Sequence, residues 1–225
     1  MDRWIGTTAI VTGASAGIGA AIAKALVEKG VNVVGLARRV EKIQELADSL
    51  SEAPGQLHAL KCDVTKEEDI IRSFKWCNGR MAEGLRRERD GVCICTREAV
   101  RVMRANDIAG HIVNMNSVLG HRVPNLPVPV FNVYPASKFA VTALTQSLKH
   151  ELHYHGTQIK ITSISPGYVK TEFEEGFPED GIKGMLEQML ALRPEDVADG
   201  VLYALSTPPT VQVQELTLCA IGEPV

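Results

Sequence analysis

The chain has 225 residues, which is long enough to bury a full hydrophobic core, and we expect a single domain over residues 1–225. Its 45% hydrophobic and 23% charged residues are typical of a soluble globular protein. A net charge of −3 without a basic run argues against nucleic acid as a partner, and the apolar runs are far shorter than the roughly 20 residues that span a bilayer.

The first part of the chain alternates short apolar runs with patterns of helical spacing. The predicted strands are residues 8–11, 31–36 and 57–62, and the predicted helices are 20–29, about 40–50 and one that starts with a capping box at 65–68. Strands that alternate with helices predict an α/β fold with a Rossmann-like, doubly wound parallel sheet.

The second part continues this alternation after an interruption. Residues 111–116, 159–164 and 214–220 are predicted strands, and a helix is predicted through 134–153. Residues 75–90 are atypical, because they contain the charged run Arg86–Asp90 and no run that could form a strand. The charge run itself is best explained as the solvated face of a helix.

The five cysteines are odd in number and lack the spacing of zinc ligands, so no metal site is predicted. A reducing compartment is favoured over a disulfide framework. Residues 1–6 leave no room for a secretory signal before the first predicted strand. We therefore expect a cytoplasmic protein.

A glycine-rich turn between the first strand and the first helix predicts a nucleotide site. The predicted cofactor-binding residues in this turn are Gly13, Ser15, Gly17, Ile18 and Gly19. Glycines let backbone N–H groups approach a pyrophosphate, and the helix N-terminus adds the positive end of its dipole. The glycine spacing is one residue longer than in the usual dinucleotide fingerprint, so the turn alone is a weak signal.

The residues at the end of the second strand predict which coenzyme binds. Arg38 and Arg39 stand where an acidic residue would bond the adenosine 2′-hydroxyl, and arginine would meet a 2′-phosphate. This favours NADP(H), although two ordinary surface arginines would look the same. Asp63 and Val64, at the end of the third strand, are placed to contact adenine, or else to form the turn that leads into the next helix.

Three further residues predict proton transfer. Tyr134 and Lys138 are four residues apart and share one face of a helix. A phenol stays protonated until about pH 10, and a nearby cation would lower its pKa and make it a usable general acid or base. Ser117, at the carboxyl end of a strand, can donate a hydrogen bond to a substrate oxygen.

These motifs together resemble the short-chain dehydrogenase/reductase family and cover most of the chain. The resemblance rests on the glycine turn, Asp63-Val64, Asn114–Ser117, Tyr134-x-x-x-Lys138 and Ser165–Thr171. It implies that Ser117 positions the substrate oxygen, that Tyr134 donates or accepts the proton, and that Lys138 lowers the pKa of the tyrosine and holds the nicotinamide ribose. It also implies that Val169 and Thr171 lie near the nicotinamide amide.

A narrower resemblance comes from residues 2–4, 94–99 and 120–123. They are similar to the dehydrogenase/reductase SDR family member 11 group, which includes hydroxysteroid or ketone reductases and insect farnesol dehydrogenases. The expected reaction is therefore the NADP-dependent interconversion of an alcohol and a carbonyl. Residues 172–190 would form the substrate lid, and a homodimer or homotetramer is implied.

The chain departs from the family in one region. The family's Asn-Asn-Ala-Gly signature, at the end of its fourth strand, and the relay asparagine of the next helix are both absent, and Glu88 is not assigned the relay role. About one strand and its loop are missing, judged against a βαβ unit of ~30 residues. The chain could be a mis-spliced product, a variant whose sheet closes differently, or an NADP-binding or partner-binding protein with impaired catalysis.

Overall fold

The structure is a computed structural model that describes residues 1–78, 91–123, 133–172 and 190–223. Its strands are β1 (Thr8–Thr12), β2 (Asn32–Ala37), β3 (Leu57–Lys61), β4 (His111–Met115), β5 (Lys160–Pro166) and β6 (Glu215–Leu218). Its α-helices are α1 (Gly17–Glu28), α2 (Val40–Ser49), α3 (Glu67–Asn78), α4 (Gly91–Ala105), α5 (Tyr134–Tyr154) and α6 (Pro194–Ser206), with short 3-10 helices at Asp2–Trp4 and Val118–Gly120. The predicted Rossmann-like α/β fold is confirmed.

The described strands form two separate parallel sheets of three strands each, in the orders β1-β2-β3 and β4-β5-β6. In the first sheet Thr8 pairs with Asn32, and in the second His111 pairs with Lys160. No strand within the described residues pairs with the outer side of β1 or of β4. The predicted lack of the family's fourth strand is thus confirmed for the described part of the chain, since that strand would lie between these two edges.

Burial along the strands follows this division. β2 and β5, the middle strands, are buried over nearly their whole length, as parallel strands covered by helices on both faces should be. β1 has the apolar sequence of a central strand, yet it is exposed at Thr8 and Thr12. Among the described strands β1 is an edge strand, although its sequence suits the middle of a sheet.

Helices join the two sheets on both faces. On one face Ile22 of α1 and Leu205 of α6 pack both against the core around Val33 and against the core around Ile164. On the other face Ala99 of α4 packs against apolar clusters that belong to each sheet. The continuity of the hydrophobic core thus comes from helical side chains instead of a continuous sheet. No helix in the described ranges is long and apolar enough to cross a bilayer.

Candidate active site

The glycine turn lies at the carboxyl end of β1 and leads directly into α1. Gly13 and Gly17 have φ angles of 69° and 53°, which only glycine adopts readily. A Cβ on Gly19 would collide with the carbonyl oxygen of Gly13, whereas the space beside Gly13 is open for 4 Å. The backbone is therefore bare and accessible next to a helix N-terminus, which fits the phosphates of a nucleotide.

The turn is fixed to its surroundings on both sides. The N–H of Ala14 donates to the carbonyl of Leu36 at 3.3 Å, which ties the turn to the end of β2. The side chain of Ile18 packs into the core around Ile164, so any contact of this residue with a phosphate would come from its backbone. Ser15 is half-buried within the turn.

Ser117, Tyr134 and Lys138 come together at the carboxyl end of β4. Ser117 is 8% exposed, and its Oγ accepts a hydrogen bond from the N–H of Leu119 at 3.2 Å. The Nζ of Lys138 lies 5.6 Å from the centre of the Tyr134 ring and donates to the carbonyl oxygen of Met115 at 3.2 Å. The structure therefore assembles the three residues that the sequence singled out for proton transfer.

The prediction of a lowered pKa for Tyr134 is wrong in this structure. Burial raises the pKa of the Tyr134 phenol above its ordinary value, and a hydrogen bond with Ser117 opposes part of the rise. Burial also lowers the pKa of Lys138. The physical reason is that both side chains are removed from water, while the ammonium group is directed at the Met115 carbonyl.

Two threonines of α5 that sequence reasoning missed hold β4 in place. The amide of Asn114 donates to Thr145 Oγ1, and that of Asn116 donates to Thr142 Oγ1, both at 2.9 Å. Thr142 in turn donates to the carbonyl of Gly120 at 2.9 Å. Thr142 and Thr145 follow Lys138 by four and seven residues, so all three lie on the same face of the helix. This spacing is the sequence signal that could have identified the two threonines.

His121 ties the segment after Ser117 to the second sheet. Its Nε2 lies 2.9 Å from Ser165 Oγ and 3.4 Å from a carboxylate oxygen of Glu215. Both contacts use the same ring nitrogen, which differs from a hydrolytic triad, where the acid and the serine bind opposite nitrogens. His121 is thus a structural link between β4, β5 and β6.

The tip of β2 carries a cluster of positive charge that includes one residue the sequence analysis missed. Arg39 Nη2 and Lys42 Nζ contact the two carboxylate oxygens of Glu172 at 2.9 and 3.3 Å. Hydrogen bonds from Thr65 are the main cause of a lowered pKa of Asp63, and the positive charge of Arg38 adds to it, so this arginine lies near the same edge. Lys42 escaped prediction because it lies in the first turn of α2, beyond the strand end.

The local role of Asp63 is that of a turn residue. Its Oδ1 accepts from the N–H and the hydroxyl of Thr65 at 3.0 and 2.8 Å, and these bonds lower the pKa of the carboxyl. Asp69 Oδ2 accepts from the N–H of Asp63 at 3.0 Å. Val64 packs into the apolar cluster around Ile94. Contact of Asp63 and Val64 with adenine stays a prediction.

The residues after β5 approach the glycine turn. Val169 packs in the core and forms a β-bridge with Leu192. Thr171 lies over Gly17, where a Cβ would be 3.2 Å from Thr171 Cγ2. Of the predicted lid over 172–190, only its ends, Glu172 and Leu190, belong to the described residues.

Comparisons with known proteins identify the family. The family model for short chain dehydrogenases matches residues 7–87 and 85–181, so its match divides within the atypical segment 75–90. The farnesol dehydrogenase of Aedes aegypti is 45% identical over 251 residues, covering 99% of each chain. Because this chain has only 225 residues, that match requires a gap in it.

Two further comparisons agree. Human dehydrogenase/reductase SDR family member 11 is 41% identical, with 97% of this chain and 95% of that protein covered. The closed form of a serine dehydrogenase complexed with NADP+ superposes with a TM-score of 0.79 at 28% identity, covering 97% of this chain and 96% of that one. With the glycine turn and the assembled Ser117, Tyr134 and Lys138, these matches show that the chain belongs to the short-chain dehydrogenase/reductase family of oxidoreductases.

Proposed function

We propose that the chain is an NADP-dependent oxidoreductase that interconverts an alcohol and a carbonyl. The observation that carries the proposal is the convergence of Ser117, Tyr134 and Lys138 at the end of β4, in a chain whose β1 ends in a bare glycine turn. The coenzyme would be held by this turn and by Arg38 and Arg39. When bound, a nicotinamide coenzyme supplies or accepts the hydride of such a reaction.

Ser117 and Tyr134 would act on the substrate oxygen. The two hydroxyl groups are hydrogen-bonded to each other, so both can face one oxygen atom that enters beside them. A phenol is protonated at neutral pH, and burial raises the pKa of Tyr134 further, so its hydroxyl can donate a proton to a carbonyl that is being reduced.

Lys138 would assist the opposite direction. Alcohol oxidation requires Tyr134 to accept a proton as phenolate, and a cation close to the phenolate stabilises that form. The ammonium group is 5.6 Å from the ring centre and is held by the Met115 carbonyl. A small rotation of the lysine side chain toward the phenol would supply this stabilisation.

The preference for NADP(H) is supported by charge. Arg39 and Lys42 bind the carboxylate of Glu172, so the end of β2 and the start of α2 attract anions. Arg38 lies at the same strand end. A 2′-phosphate would bind these cations at the end of β2, the strand next to the one that leads into the glycine turn. The structures compared above include a relative solved with NADP+.

The substrate class follows from the relatives. The 45% identity to a farnesol dehydrogenase favours an isoprenoid alcohol such as farnesol and its aldehyde. The resemblance described in the sequence analysis makes hydroxysteroids and ketones the next candidates. We propose that residues 1–225 act as one domain in the cytoplasm. The family resemblance favours a homodimer or homotetramer.

A second candidate function is an NADP-binding or partner-binding protein with impaired catalysis. It is favoured by the edges of β1 and β4 with which no described strand pairs, because these strands carry the glycine turn and Ser117 at their ends. In the extreme case the chain is a mis-spliced product that has lost its function altogether. If the two sheets move relative to each other, coenzyme and proton donor are no longer held in register.

One experiment separates these functions. Purified protein is mixed with NADPH and farnesal, or with a panel of ketones and ketosteroids, and absorbance at 340 nm is followed while NADP+ binding is measured by calorimetry. Turnover supports the oxidoreductase. Binding without turnover supports the second candidate, and a folded protein that does neither contradicts both.

A further inference from the structure

The segment after β5 forms a strap, residues 168–172, that is anchored at its base. The N–H of Tyr168 donates to a carboxylate oxygen of Glu223 at 2.7 Å. The N–H of Lys170 donates to the carbonyl of Leu192 at 3.0 Å, and the N–H of Leu192 donates to the carbonyl of Tyr168 at 2.8 Å. Three backbone N–H groups therefore fix the first half of the strap in a defined path.

The second half of the strap crosses from the second sheet to the first. Thr171 packs over Gly17, at the start of α1. Glu172 then reaches Arg39 and Lys42, at the start of α2. The strap thus touches both the proposed pyrophosphate cradle and the proposed site of the 2′-phosphate.

Resting on the proposed function, we propose that Glu172 is a coenzyme-selectivity residue, whose carboxylate occupies the anion site of Arg39 and Lys42 until the 2′-phosphate of NADP(H) displaces it. One carboxylate oxygen of Glu172 accepts from Arg39 and the other accepts from Lys42. The carboxylate therefore uses both cations at once, as a phosphate group would. A coenzyme without the 2′-phosphate has no group to exchange for the carboxylate and leaves the bridge intact.

The exposure of the three side chains determines how strongly Glu172 competes with a 2′-phosphate. The side chains of Arg39, Lys42 and Glu172 are 48, 42 and 45% exposed, so the two ion pairs are solvent-screened surface pairs. Pairs of this kind stabilise weakly, and their loss on binding corresponds to a change in affinity of about 2- to 10-fold. Because exposed pairs are screened by salt, the effect should shrink at 0.5 M NaCl.

The test compares two adenosine nucleotides on the full-length protein. Binding of adenosine 2′,5′-bisphosphate and of adenosine 5′-monophosphate is measured by calorimetry for the wild type, Glu172→Gln, and the control Glu52→Gln, an exposed residue in the turn after α2. We expect Glu172→Gln to bind the bisphosphate about 2- to 10-fold more tightly and the monophosphate unchanged. The control should match the wild type, and all variants should share one thermal unfolding transition.

A double-mutant cycle identifies the partner. In an Arg39→Gln background, Glu172→Gln should give a smaller gain for the bisphosphate, because half of the competing contact is already lost. A gain of equal size in both backgrounds would contradict the proposal, since Glu172 would then act without Arg39.

The remaining outcomes are distinct. Equal affinities of wild type and Glu172→Gln, weaker binding by the variant, or equal tightening for both nucleotides would each overturn the role of Glu172 while the wild type still bound NADP+. If the wild type binds neither NADP+ nor the bisphosphate, the proposed function fails and this inference fails with it.

Discussion

Replacing Thr145 with valine tests how the candidate site is held together. Thr145 Oγ1 accepts the only hydrogen bond described for the Asn114 amide, at 2.9 Å, and both residues are 5% exposed. Valine has the same shape as threonine but no hydroxyl, so the substitution leaves the buried amide unpaired and opens no cavity. An unpaired buried polar group costs about 1–3 kcal/mol, which is large against a total stability of about 5–15 kcal/mol.

The assay for Thr145→Val is urea unfolding followed by circular dichroism. With a slope of about 2 kcal/mol per M, the midpoint should fall by about 0.5–1.5 M. Thr210→Val is the matched control, because Thr210 is exposed in the turn after α6 and should change stability by less than about 0.5 kcal/mol. If Thr145→Val unfolds at the midpoint of this control, then the bond between β4 and α5 contributes nothing and the account of how Ser117 is positioned is wrong.

Three further predictions concern the sheets and two titratable groups. Hydrogen exchange should be slower in β2 and β5 than in the edge strands β1 and β4, and equal protection of β1 and β2 would mean that another segment pairs with β1. Burial raises the pKa of Tyr134 above its ordinary value of 10. When wild type and Tyr134→Phe are titrated, the difference in their tyrosinate absorbance should therefore have its midpoint above pH 10. A midpoint below pH 10 would contradict this. Burial lowers the pKa of His111 to about 4, so the folded state resists its protonation, and stability should decrease as the pH falls from about 6.5 to 4. The variant His111→Gln should lose this part of the pH dependence, and a dependence as steep as in the wild type would exclude His111 as its source.

The part of the site that sequence could predict is encoded locally. The glycines of the turn and the pair Tyr134–Lys138 are recognisable because each motif lies within one turn or one helix, where spacing determines geometry. Ser117 could be placed because a strand ends just before it. The missing strand was predictable for the same reason, since the motif that marks it is absent from the sequence.

The part that sequence could not predict depends on contacts between distant segments. Glu172 meets Arg39 and Lys42 across 130 or more residues of chain, and no periodicity encodes that contact. The raised pKa of Tyr134 also escaped prediction, because it depends on how deeply the folded chain buries the phenol. Burial and long-range pairing are properties of the folded chain and leave no local pattern.

We propose above that this chain transfers a proton through Tyr134 in an NADPH-dependent reaction. The most direct measurement is kcat/KM for NADPH oxidation with farnesal, or with the best substrate of the panel, for the wild type and Tyr134→Phe, together with the Kd for NADP+ of both. We predict that the variant loses about 100- to 10,000-fold in kcat/KM and binds NADP+ as the wild type does. Equal turnover by the two proteins would contradict the claim.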